Sequence, residues 1–233
     1  MGAACKAWRL REPKLQTLQG SPLGNAEHSR CPGDPDPHDH IKGVGIAAVL
    51  HAYSHKRDPE RLREVLEAMT PEQLGDLKPG VPGAGVVPSK WYPSAFVHAL
   101  FDGLCQGLTD DEVQLLAEQL EGAVMDATLH GAYKLFFRLV FTPERYAHYS
   151  QPLWTRFYSS GRLESRVDGD IVTSRIVNWR GYHSFLCRMN REAARIIHMA
   201  MGRHVISTAT TECRAAGDAA CGFRLVLAPR RKE

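Results

Sequence analysis

The chain has 233 residues, 43% of them apolar, and a formal net charge of +3. That length carries one sizeable core, while acids and bases interspersed along it leave no basic face for counterion release to reward, which sets nucleic acid aside as a direct partner. No run approaches the roughly 20 consecutive apolar residues of a membrane span. The start lacks a secretory apolar run, and Lys6 stands where a myristoylation motif wants Ser or Thr. A cytoplasmic chain is expected, and its six cysteines are then free thiols or metal ligands rather than a disulfide framework.

Residues 1–40 are rich in Pro, Gly and charge without periodicity, which predicts a mobile tail. The Asp36-Pro-His38-Asp-His40 run reads there as solvated polar chain. From Ile41 apolar residues recur at helical spacing to Ser54, predicting a first helix. Asp58-Pro59 supplies an N-cap and a first-turn proline for a second helix, ended by Thr70-Pro71. Lys78 to Gly85 is punctuated as a loop, and Pro93 to Leu104 reads as a helix. Thr109-Asp-Asp-Glu112 matches a capping box for a long helix through Leu116, Leu120 and Val124, whose acidic residues read as structural. Gly131 to Phe141 is strongly apolar. Thr142-Pro143-Glu144 starts another helix, expected to end near Gly161.

After Gly161 the period becomes two. Leu163, Ser165 and Val167, a Gly169-Asp170 turn, then Ile171, Thr173, Arg175 and Val177 predict a hairpin. Tyr182 to Met201 returns to helical spacing, and two further strands are expected at His204–Thr211 and Phe223–Leu227. The predicted class is α+β: a helical N-terminal half packed on a small antiparallel sheet, in the order helices-β-β-α-β-β.

The segment from Cys213 to Phe223 reads Cys-Arg-Ala-Ala-Gly-Asp-Ala-Ala-Cys-Gly-Phe. With Cys187 on the preceding helix, it resembles the ending of 4-vinyl-reductase (4VR) domains, whose superfamily includes haem nitric-oxide-sensor-associated proteins and TRAPP subunits. Trp154 to Gly161 is also similar to a paralogous myxobacterial family of unknown function. The resemblance implies a TRAPP/4VR-like fold over 41–229 as a single domain, followed by a basic tail at 230–233, and it implies a homodimer.

The same resemblance implies a structural zinc on Cys187, Cys213 and Cys221, thiolates suiting that ion at about 2.3 Å. The family's carboxylate ligand is replaced by Thr210, so Glu212, His183 or water is left for the fourth position. Ordinary buried thiols are the alternative reading. Haem is unlikely on the sequence: Tyr182-x-Ser184 is present, but Arg188 falls two residues late for a Tyr-x-Ser-x-Arg pattern. His130 reads as a core histidine, and His51 and His55, spaced i, i+4, lack the Glu and third ligand of a zincin site. Trp154, Phe157, Trp179, Tyr182 and His183 are the candidate lining of a ligand pocket.

No glycine fingerprint for nucleotides and no paired acid and base is visible. The expected role is a non-enzymatic sensory or regulatory domain that binds a small hydrophobic or aromatic ligand or a regulatory protein partner. A TRAPP-like assembly subunit and a tetrapyrrole vinyl-reductase-type enzyme stand as the alternatives.

Overall fold

The computed structural model describes residues 36, 39–128 and 141–229. Most of the expected tail, the basic end at 230–233 and the apolar stretch at 129–140 with His130 lie outside the described residues.

The chain enters through a short strand β1 (His40–Lys42), paired antiparallel with β2 (Trp91–Pro93). Helix α1 (Gly43–Lys56) follows directly. Asp58 caps α2 (Pro59–Glu67), accepting from the Arg61 N–H at 2.9 Å. Thr70 does more than stop that helix: with Gln73 it forms a capping box for a single-turn helix α3 (Pro71–Leu74). After α4 (Ser94–Cys105) comes α5 (Asp110–Thr128). At its start the Thr109 N–H donates to Glu112 Oε2 at 2.8 Å and the Glu112 N–H to Thr109 Oγ1 at 3.4 Å, the reciprocal pair the sequence spelled out.

Thr142 caps α6 (Pro143–Trp154). This helix stops earlier than the apolar spacing suggests. Pro152 sits in its last turn and removes a donor from the continuing ladder, so Phe157 and Tyr158 lie in the following loop. The sheet begins with β3 (Arg162–Asp168) and β4 (Ile171–Val177). Helix α7 (Ser184–Ala200) intervenes, and β5 (Val205–Glu212) and β6 (Ala220–Leu227) complete the strand order β3-β4-β6-β5, all antiparallel. The α+β class therefore holds, with β1 and β2 as an addition the sequence did not announce.

Helices α1 and α7 both pack on α5. Phe96, Leu100, Leu116, Leu120, Phe185 and Leu225 are buried in one cluster joining helices to sheet. Gly161 crosses from α6 to β3 with φ +85°, and a Cβ there would come within 2.9 Å of the Trp179 Cβ, so this corner needs glycine twice over. Among the described residues no helix is long and apolar enough to cross a membrane.

Candidate functional site

Where the helical half meets the sheet, the described residues line a partly open cavity of about 500 Å³. Val44, Ile46 and Val49 of α1, Val97 and Leu100 of α4, and Val124 and Met125 of α5 form one wall. Opposite stand Tyr146, Ser150 and Trp154 of α6, Phe157 and Tyr158 of its loop, Met189 and Asn190 of α7, and Ile176 and Phe223 of the sheet. Such a mostly apolar space with a few convergent polar groups is the general form of a small-molecule site.

The polar groups inside differ in how far they are satisfied. The Ser150 hydroxyl donates to the Ala147 and Leu163 carbonyls at 2.9 and 3.4 Å, which leaves it without a base to activate it. Tyr158 and Asn190 exchange hydrogen bonds, and burial pushes the Tyr158 phenol well above its ordinary range. Tyr146 is pushed up to about 12 by burial alone. Glu121 is 6% exposed and lines the cavity. Burial, helped by the negative charge of Glu192, raises its carboxyl to about 8. Glu192 is itself satisfied, accepting from Arg195 at 2.6 Å and from Gln114 at 3.2 Å.

Of the residues singled out as a pocket, Trp154 and Phe157 line this cavity. Trp179 stands behind it, buried and meeting Trp154 and Tyr158 edge-on with ring centroids 5.2 Å from each. Tyr182 lies under the Arg214 guanidinium at 4.8 Å. His183 serves α7 as its N-cap: Nδ1 accepts from the Phe185 N–H at 3.2 Å, which leaves Nε2 to donate to Asp102 at 3.3 Å. Its ring sits 4.9 Å from that of His98, whose imidazole is lowered to about 4, first by burial and then by His183. The sequence passed over Glu121, although a signal was present: it falls on the stripe of Ala117, Leu120, Val124 and Met125, where a carboxyl has no solvent to meet.

Cys187, Cys213 and Cys221 do come together, through α7, the turn after β5 and the start of β6. The Cys187 thiol donates to Cys221 Sγ at 2.8 Å, whereas thiolates around a tetrahedral zinc stand about 3.8 Å apart at ordinary bond lengths. Among the described residues no group of three or more His, Cys, Asp or Glu is placed to hold a metal ion. The zinc expectation is corrected accordingly: the thiols are free and hydrogen-bond to one another.

The asymmetry within that cluster has a chemical consequence. The Cys187 hydrogen bond, aided by the Ala216 and Ala215 N–H groups, lowers Cys213 to about 6, while burial lifts Cys105 to about 12. At pH 7 iodoacetamide should alkylate Cys213 at least tenfold faster than Cys105, with the rate falling below about pH 6, as peptide mass spectrometry would read. Equal rates would contradict this thiolate assignment.

No protein-family model matches the chain, and no curated protein matches it. Solved structures do. The chain is similar to an Fe(II) unliganded H-NOX protein from K. algicida, with 11% identity and a TM-score of 0.58 over 83% of this chain and 100% of that one. It is also similar to a single-site mutant of the T. tengcongensis H-NOX, at 11% identity and TM-score 0.57 over 80% and 97% of the two chains. The S. oneidensis H-NOX in its Fe(II)NO state gives 13% identity and 0.54 over 81% and 99%. At these identities the likeness is one of fold.

Two expectations are overturned here. The 4VR and TRAPP resemblance rested on the segment from Cys213 to Phe223 with Cys187, and the myxobacterial one on Trp154 to Gly161, whereas the arrangement of the described residues matches H-NOX structures; the homodimer loses its support with them. Haem was set aside because a local motif is missing, yet the fold belongs to proteins described with Fe(II) and heme. A fold is a property of the whole chain and survives the loss of any one motif. Haem iron takes ligands from His, Cys, Met or Tyr; the described lining offers Tyr146, Tyr158, Met125 and Met189 of these types and no His or Cys. With Tyr146 and Tyr158 both held as neutral phenols by burial, the described residues do not by themselves complete an iron site.

Proposed function

We propose that residues 41–229 form a non-enzymatic sensory domain whose signal is occupancy of the internal cavity by a small, largely apolar ligand. The observation that carries this reading is the cavity itself: about 500 Å³ between the helical half and the sheet, in a fold shared with H-NOX proteins. Glu121 is the single carboxylate among the described lining residues, so the lining lacks the paired acid and base of a hydrolytic site.

The test is thermal denaturation of the purified chain against aromatic and aliphatic probes, with haem titrated in parallel and followed by its absorbance. A melting temperature that climbs with the concentration of an apolar probe supports the reading. A shifted Soret band at one haem per chain makes haem that ligand. No shift with any probe, haem included, overturns it.

A further inference from the structure

Among the described lining residues, Glu121 is the one carboxyl, and it is buried. It is 6% exposed and faces the cavity, and no hydrogen bond or ion pair to its carboxyl is formed among the described residues. Nearby, Glu192 is paired with Arg195, Gln114 is bonded to Glu192 and Arg191, and Tyr158 is bonded to Asn190; the buried Trp179 Nε1 and Arg191 Nε have no hydrogen-bond partner among the described residues, but neither Trp179 nor Arg191 is among the residues that line the cavity. A polar group taken largely out of water without a protein partner is destabilised, so a carboxyl lining a cavity is the natural place for a polar group of a bound ligand.

We infer that Glu121 is the anchor of the cavity, donating a hydrogen bond from its neutral carboxyl to an uncharged, apolar ligand that carries a carbonyl-type acceptor. The inference rests on the cavity being a ligand site. The charge balance around the carboxyl argues for the neutral form. Across α7 it meets Glu192, whose charge opposes a second carboxylate; the Tyr158 phenol is neutral; and α1, the other helix packed on α5, contributes Val44, Ile46 and Val49 to the lining. The cationic lining residues are Lys42 and Arg156, and neither forms an ion pair with Glu121. A carboxylic acid held neutral in an apolar site is a strong donor at neutral pH. An ammonium ligand would instead have to shed its hydration to form an ion pair, which is the costlier exchange.

Three probes of matched shape separate the possibilities: benzophenone, diphenylmethane, which lacks the carbonyl, and benzhydrylamine, a cation at pH 6. Dissociation constants are measured by isothermal titration calorimetry at pH 6 and pH 9.5. The expected result is benzophenone binding about tenfold tighter than diphenylmethane at pH 6, the preference vanishing at pH 9.5 and in Glu121→Leu. Glu121→Gln, whose amide still donates, keeps the preference at both pH values, an outcome that a merely structural role would not produce. Equal affinity of benzophenone and diphenylmethane for the unmodified chain at pH 6 overturns the anchor and leaves the cavity reading standing. Tightest binding of benzhydrylamine also overturns it, since the group would then act as a carboxylate. Binding of none of the three overturns the anchor, and the cavity reading falls with it where the aliphatic probes and haem also fail to bind.

Discussion

Replacing Glu121 by Gln should raise the unfolding free energy at pH 7 by on the order of 3 kcal/mol. The sign follows from proton counting. Glu121 titrates near 8 in the folded chain against 4.5 in its ordinary state, so between those values the unfolded chain has released a proton that the folded chain keeps, and stability falls as pH rises. Above about 8 both states are ionised and the loss is complete. His98 acts the other way over a lower window: held down at about 4 against 6.5, it makes stability rise with pH from about 4 to 6.5. Of these two groups, Glu121 alone still titrates between pH 6.5 and 8. Cys213, lowered to about 6 against 9, adds stability with rising pH over the same interval in both chains, so in urea denaturation the gap between Glu121→Gln and the unmodified chain should widen by about 1–2 kcal/mol from pH 6.5 to 8; parallel curves would sink the assignment.

The second large effect concerns Trp179. It is 1% exposed, meets both Trp154 and Tyr158 edge-on, and is pressed from the other side by Gly161. Truncation to Ala removes an indole from a close-packed corner and should cost about 3–5 kcal/mol. In a domain of this size that lowers the melting temperature by roughly 10 °C. Because Trp154 and Tyr158 are cavity walls, the same variant should bind benzophenone several-fold more weakly. Trp91→Ala is the control, since Trp91 is 40% exposed with a Lys42 ammonium over its ring, and it should change stability by less than about 1 kcal/mol. A Trp179→Ala chain that melts like Trp91→Ala would show that this corner carries no weight.

The helix starts were legible because capping is local chemistry. Asp58-Pro59, Thr109 with Glu112, and Thr142-Pro143 each place the donor, the acceptor and the restricted φ within four residues, and each is used as read. The hairpin β3–β4 was legible for the same reason, with Gly169 at φ +57° supplying the turn. By contrast, β1 and β2 are three residues each and are joined across some fifty residues of chain, too short for any period to register. His183 as the cap of α7 also escaped, because a histidine is seldom read as a cap.

The candidate site was legible only in part. Helical spacing identifies which residues leave solvent, but a residue that leaves solvent can meet a neighbour or an empty space, and α5 illustrates both. Leu116 and Leu120 are core, while Glu121, one position on, meets the cavity. The two thiols of the cysteine hairpin do meet Cys187 of α7, yet the hairpin misdirected the reading of the family, since a motif of eleven residues is shared more easily than an arrangement of two hundred.

The walls of the cavity span the chain from Ile41 to Phe223. An occupant would touch the first helix and the last strand at once, so it would act as a keystone between parts of the chain that are otherwise remote in sequence. At a hundred times its dissociation constant, an occupant that binds only the folded chain adds about 2.7 kcal/mol, shared along the whole seam rather than lodged in one helix. A concentration outside the molecule would thereby be translated into stiffness across its middle, and a neighbouring protein resting on either side of the seam could read that stiffness without ever touching the ligand.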